Sequence, residues 1–277
     1  MTALTLARNE WIKTTRRPAL WVTLLCLLAI VGIVFFQRYS SGLSNDDVTP
    51  LRLPDGWAFI LGEPGPMPAI FGAIVVILLV ASEFSWRTAR QNVIDGLSRE
   101  QFYAGKVLLV PGMSLALLGL VVALGVAFAL PGTGLSDLTG PLVGLDDLAF
   151  AGAVLLSMVG MGAMALFIAS VVRSSGPAMA LFFFYIAFGE QLLAALAARF
   201  IPAVAAVAHY APGQVFMNMA EARIYYPSLQ EAAVARALER GAAAPVFPSA
   251  TVLVGVALGW TAFFLLAGFL AFRRRDL

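Results

Sequence analysis

Polar and apolar positions in this chain fall into long blocks. They show neither the strict alternation of a half-buried strand nor the narrow apolar stripe of a soluble helix. A predominantly apolar block of about 20 residues crosses the hydrocarbon core of a bilayer as a helix. Six blocks qualify: residues 18–37, 67–84, 107–130, 148–172, 177–198 and 249–272. Pro64, Pro66 and Pro68 crowd the start of the second. Proline is tolerated in the first turn of a helix, so that span is predicted to begin near Met67.

The polar stretches between the blocks predict the remaining elements. Residues 1–17 read as an amphipathic interfacial helix, with Leu4, Ala7, Trp11 and Ile12 on one face and Arg8, Asn9 and Lys13 on others. Arg16, Arg17 and Pro18 then turn the chain into the first span. That basic segment followed by an apolar run resembles a secretory signal. The run is too long for one, however, and no small-x-small cleavage pattern follows, so a retained first span is expected.

Between the second and third spans lies a connection over 84–106. Ser98 and Gln101 form a capping box, which predicts a helix from Arg99 into the third span. Gly96 ends what precedes it, leaving a short helix over 84–95. Between the fifth and sixth spans, residues 199–248 form an extracytoplasmic segment. Its stretch 201–208 is apolar but too short to span, and Pro202 breaks it. Pro212-Gly213 predicts the turn of a re-entrant or interfacial hairpin. A second capping box, Ser228 with Glu231, and a stop at Gly241 predict a helix over 229–240. The fold class is therefore an all-α integral membrane protein with six transmembrane helices, forming a single transmembrane domain over 1–277.

Composition agrees. Sixty per cent of the residues are hydrophobic, 12% are charged and mean hydropathy is +0.87. A soluble domain carries about 25% charged residues, so a water-exposed globular fold is excluded. The positive-inside rule orients the helices. With a cytoplasmic N-terminus, the inner segments hold Arg8, Lys13, Arg16, Arg17, Arg87, Arg90, Arg99, Lys106, Arg173, Arg273, Arg274 and Arg275, which is 12 of the 18 basic residues. The outer side holds Arg38, Arg52, Arg199, Arg223, Arg236 and Arg240. An odd number of spans would split the basic ends across the membrane. Both termini are thus expected in the cytoplasm, in a multi-pass protein of the cell (inner) membrane.

Catalytic chemistry is sparse. The chain has one cysteine, Cys26, and one histidine, His209, so neither a disulfide within the chain nor a multi-histidine metal site is expected. HExxH, CxxC and GxSxG are absent. So is GxxxxGK[ST], since Gly105-Lys106 is followed by Val107, and no nucleotide cofactor is expected on this chain. No nucleic-acid partner is expected either; membrane lipid is. Glu190 and Gln191, with Tyr185 a turn earlier, are the candidate polar lining of a path through the fifth span. An interhelical hydrogen bond from the carboxylate accounts for Glu190 equally well. Gly160 and Gly162, and the GxxxG of Gly255 and Gly259, are read as close packing within the subunit. His209, Leu229, Glu231 and Arg240 are candidates for an extracytoplasmic lid.

The run Glu83-Phe84-Ser85-Trp86-Arg87-Thr88-Ala89-Arg90, followed by Ser98-Arg99-Glu100-Gln101-Phe102-Tyr103-Ala104-Gly105-Lys106, resembles the loop after the second span of type-2 ABC transporter permeases. Arg87 stands where that family usually has glycine. The ending Phe272-Arg273-Arg274-Arg275-Asp276-Leu277 is similar to the family's ending, and the six spans and long outer segment match its architecture. The resemblance implies a permease subunit of an ATP-driven exporter. It would dimerise with itself or a related permease and dock a separate ATPase that carries ATP and Mg. It also implies an ATPase-coupling element in the 84–106 loop, for which Trp86, Arg87, Arg90, Gln91 and Asn92 are the candidates. The alternatives are a secondary transporter and a lipid-modifying membrane enzyme. The first needs coupled ionisable residues in several spans. The second needs a catalytic cluster, and the acidic pairs Asp46-Asp47 and Asp146-Asp147 have no basic or histidine companion in sequence.

Overall fold

The computed structural model describes residues 3–44, 51–85, 98–134, 141–200 and 208–274. Among these residues there is no strand, and six helical stretches are long and apolar enough to cross a membrane: Pro18–Leu43, Trp57–Ser85, Arg99–Gly132, Leu145–Val172, Ser175–Leu196 and Ala250–Arg274. A further helix, Ala3–Thr15, precedes the first span.

The fourth and second spans form the centre of the bundle. Their most apolar windows are 72% and 61% buried, against 17% for the fifth. The fourth buries Ala153, Gly160, Gly162, Ala163, Ala165 and Ala169 beside Met158, Met161 and Met164. Small residues let helix backbones approach without a hydrophobic driving force, and methionine fills the irregular gaps.

Most predicted boundaries hold, and their causes are visible. The third span starts at Arg99 because the capping box forms: the Gln101 N–H donates to Ser98 Oγ and the Ser98 N–H to Gln101 Oε1, each at 3.1 Å. A helix does begin at Met67, but the apolar passage starts earlier, in the short helix Trp57–Gly62. The fifth span is interrupted. A π-helical turn, Tyr185–Gly189, separates Ser175–Phe184 from Glu190–Phe200.

The segment before the sixth span departs from expectation at two points. Pro212-Gly213 does not make a turn; it opens the helix Pro212–Asn218, because the fixed φ of proline suits the first helical position. Helix Pro227–Glu239 likewise starts on its proline, with Tyr226 as N-cap and no side-chain cap. Ser228 already lies inside that helix, so the predicted capping box does not form. Its stop is the predicted one. Gly241 has φ +68, its N–H reaches Leu238 O at 3.0 Å, and the Ala242 N–H reaches Ala237 O at 2.9 Å.

Glycine packing splits in two. A Cβ at Gly160 would lie 2.1 Å from the Phe216 ring, so the fourth span and helix Pro212–Asn218 touch only because residue 160 has no side chain. Gly255 and Gly259, by contrast, have nothing within 4 Å of an added Cβ. The expectation that this GxxxG packs within the subunit is not met among the described residues, where neither glycine approaches another element.

Candidate coupling and translocation sites

At the basic end of the bundle, three elements converge on one lysine. Lys106, near the start of the third span, is 1% exposed. Its Nζ lies 2.7 Å from Glu83 Oε1 at the end of the second span and 2.5 Å from Glu10 Oε2 in the N-terminal helix. Lys13 reaches the other oxygen of Glu10 at 3.3 Å. Arg17 adds a second cation 3.7 Å from Glu83 and donates to Ser82 Oγ. Burial by itself would raise the Glu10 carboxyl, but Lys106 and Lys13 outweigh it and hold it below the usual carboxylate range. Gly105 makes room, since an added Cβ would lie 3.3 Å from Glu10 Cγ.

This cluster also decides which face of the N-terminal helix packs. Leu6, Glu10 and Thr14 are buried, whereas Trp11 and Ile12 of the predicted apolar stripe stay 43% and 39% exposed. The charge at Lys106 turns the helix by its glutamate, leaving the indole outward. Trp86, Arg87, Arg90, Gln91 and Asn92 lie outside the described residues. Glu83 and Ser98, on either side of that segment, are described; Glu83 belongs to the cluster, as does Lys106 two turns beyond Ser98.

In the fifth span, Glu190 directly follows the π-helical turn and is 5% exposed. Its two oxygens accept from the Gly213 N–H at 2.6 Å and the Gln214 N–H at 2.8 Å. These are orphan amides of the first turn of helix Pro212–Asn218, where a carboxylate also meets the positive end of the helix dipole. The interhelical hydrogen bond expected of Glu190 is present, with backbone amides of helix Pro212–Asn218 as its donors. Tyr185, half-buried, lies beside the same carboxylate. Gly213 permits the approach, since its Cβ would fall 2.9 Å from Glu190 Oε1. Gln191, the next residue, faces outward and is exposed. Tyr185 and Glu190 are thus brought together, and Gln191 is not.

The far end of the bundle is tied by polar contacts. Ser157 Oγ donates to Phe216 O at 2.6 Å and Trp260 Nε1 to Tyr210 O at 2.9 Å. Asp147 accepts from the Gly144 N–H at 2.7 Å and from the Tyr226 hydroxyl at 2.7 Å. Burial and that carboxylate push the Tyr226 phenol above its ordinary range, and burial pushes its neighbour Tyr225 up to about 12. Of the residues predicted for a lid, Leu229 and Arg240 line a cleft beneath helix Pro227–Glu239. Glu231 is exposed, and His209 lies apart with its ring 4.0 Å from that of Tyr210. No group of three or more metal-ligating side chains occurs among the described residues.

A family model described as "ABC-2 family transporter protein" matches residues 6–189, about two thirds of the chain. The chain belongs to this family. It is a multi-pass membrane protein and an ABC transporter permease. A comparison with curated proteins found no match.

The matched stretch of the permease contains Glu10, Arg17, Glu83 and Lys106 and ends one residue before Glu190. Glu83 and Lys106 belong to the motif quoted from the sequence, and the structure gives that motif a physical content as a salt bridge. Glu10 and Arg17 as its partners were missed. The available signal was that Glu10 is the sole acidic residue in the otherwise basic stretch 1–17.

Proposed function

We propose that this permease is the transmembrane subunit of an ATP-driven exporter, that it acts as a dimer, and that a separate ATPase subunit binding ATP and Mg drives it. The observation that carries this reading is the buried cluster around Lys106. It joins the N-terminal helix, the second span and the third span into one unit at the roots of the 86–97 segment. A partner pushing on that segment would move three elements together. Energy transfer needs such an element, since a partner shifts a conformational equilibrium only through different contacts with its two states. Trp86, Arg87, Arg90, Gln91 and Asn92 are assigned as the contacts; the four-residue spacing of Trp86 and Arg90 would put them on one face of the helix expected from the sequence.

The sidedness follows from the basic residues, which put the Lys106 end, with both termini, on the cytoplasmic side of the inner membrane. Substrate would pass between two copies, beside the outward-facing Gln191 and the Tyr185–Glu190 pair. A polar side chain exposed on a span is poorly placed against lipid and better placed against water or a second subunit. Helix Pro227–Glu239 would serve as the lid, with Leu229 and Arg240 on its inner face. The ionisable groups a secondary transporter would need are engaged structurally: Glu190 holds backbone amides and Lys106 is paired at the bundle's end.

The test is reconstitution with the ATPase subunit. A Trp86→Ala/Arg90→Ala permease should insert normally yet lose ATPase association or substrate-stimulated hydrolysis. Copurification and transport equal to the parent would overturn the coupling assignment.

A further inference from the structure

Beneath helix Pro227–Glu239 the chain encloses a cleft of 690 Å³ whose charged lining is four arginines against two glutamates: Arg38, Arg223, Arg236, Arg240, Glu63 and Glu221. Two of the arginines are matched. Arg38 lies 3.3 Å from Glu63 with its guanidinium 3.9 Å above the Phe59 ring, and Arg223 lies 3.5 Å from Glu221. Arg236 and Arg240 have no acidic partner among the described residues. They sit one turn apart on the same helical face as Leu229, Ala232 and Ala233, all of which line the cleft. A position near a helix C-terminus favours cations. It does not select the face, and here both line the cleft at its solvent-exposed rim, beside small alanines. The Arg38 Nε is buried in the same wall without a hydrogen-bond acceptor among the described residues.

We propose that this cleft binds a phosphate-bearing anion. Two guanidinium groups in excess of the acids suit the roughly −1.5 to −2 charge of a phosphate monoester near neutral pH. The planar forks of arginine suit bidentate contact with its oxygens. The volume falls within the ~300–1,000 Å³ range of small-molecule sites, so there is room for the group that carries the phosphate. The source is either a lipid headgroup at the membrane surface or a soluble phosphate compound. The site does not depend on which way the permease transports, or on what.

The experiment uses the full chain in nanodiscs. Inorganic pyrophosphate is titrated into discs of phosphatidylcholine, and retention of phosphatidic acid, a lipid with a phosphate monoester headgroup, is measured by native mass spectrometry from mixed-lipid discs. Saturable binding of either probe is expected. It should fall at least tenfold in an Arg236→Gln/Arg240→Gln variant and stay unchanged in Arg52→Gln, an exposed arginine outside the cleft. Both substituted positions are surface residues, and an unshifted melting curve checks that the double variant remains folded. Pyrophosphate binding identifies a soluble source, and phosphatidic acid retention alone identifies a lipid. No saturable binding of either probe would overturn the proposal. So would an equal loss in Arg52→Gln, which would mark general attraction to a basic surface.

Discussion

Lys106 and Glu83 face each other at 2.7 Å, both buried, at the point where the second and third spans come nearest the connection between them. Taking two charges out of water is costly, and an apolar replacement of both partners is often tolerated. Removing one alone is not, because the other is left buried and uncompensated. Lys106→Met should therefore destabilise the permease by about 3–5 kcal/mol and undock the N-terminal helix, since Glu10 and Glu83 lose their shared buried cation and keep only the more exposed Lys13 and Arg17. Adding Glu83→Gln should recover part of that loss. Thermal unfolding in detergent, with proteolysis at Arg8 and Lys13 as a local probe, checks both outcomes.

The Glu10 carboxyl is held below its ordinary value of 4.5 when folded. A depressed folded pKa contributes stability that is present above the unfolded value and lost as pH falls through the folded one. The N-terminal helix should stay docked from neutral pH down to the usual carboxylate range, and release only below it. Hydrogen exchange across residues 3–15 at stepped pH reads this directly. Release already at pH 6 would contradict the ion-pair account.

Gly160→Ala places a methyl group 2.1 Å from the Phe216 ring. Overpacking of this kind costs about 1–3 kcal/mol. The unfolding midpoint should drop, and a second change, Phe216→Leu, should restore most of it. Gly255→Ala is the control and should leave the isolated chain unaffected, because its Cβ meets nothing within 4 Å.

Glu190→Gln keeps the shape but removes the charge that two backbone N–H groups and a helix dipole face. The expected cost is about 1–3 kcal/mol, localised to helix Pro212–Asn218. Exchange protection of the amides at 213 and 214 should fall while that of the fourth span stays high. Gly213→Ala should give the same local pattern by pushing the carboxylate away.

Reporter fusions after Arg173 and after Leu277 should read cytoplasmic, and one after Asp137 external. An external reading at the C-terminus would rule out the assigned orientation or the number of spans.

Much of the fold was legible because each span satisfies its own backbone hydrogen bonds, so length and hydropathy alone decide whether a block can cross. The box at Ser98 and Gln101 and the stop at Gly241 were readable for a similar reason, since both are interactions between near neighbours. The Pro212-Gly213 pair is a helix start and not the expected turn, because a proline that ends one structure is equally suited to opening a helix; the helix expected over 229–240 exists but starts two residues earlier, on Pro227. The candidate site was legible only in part. Glu190 stood out as a charge within an apolar block, and Glu83 and Lys106 entered with the quoted loop motif, but their partners lie 23 to 96 residues away in the chain.

The sequence by itself determined the number of spans, their approximate ends and the uneven distribution of basic residues, because these depend on solvation in lipid and on local backbone chemistry. Tertiary structure alone decided which face of the N-terminal helix packs, which glycines are contacts, and what Glu190 does. Hydropathy placed Trp11 and Ile12 on the apolar face of an interfacial helix but did not say which face meets the bundle. Glu10 decides that, since a carboxylate within reach of the buried Lys106 ammonium turns its own side of the helix inward and leaves the indole exposed. Gly160 and Gly255 look alike in sequence, and only Phe216 arriving from a separate helix makes one of them a contact. Glu190 reads as a costly charge within a span until the amides of Gly213 and Gln214 are brought to it by the fold.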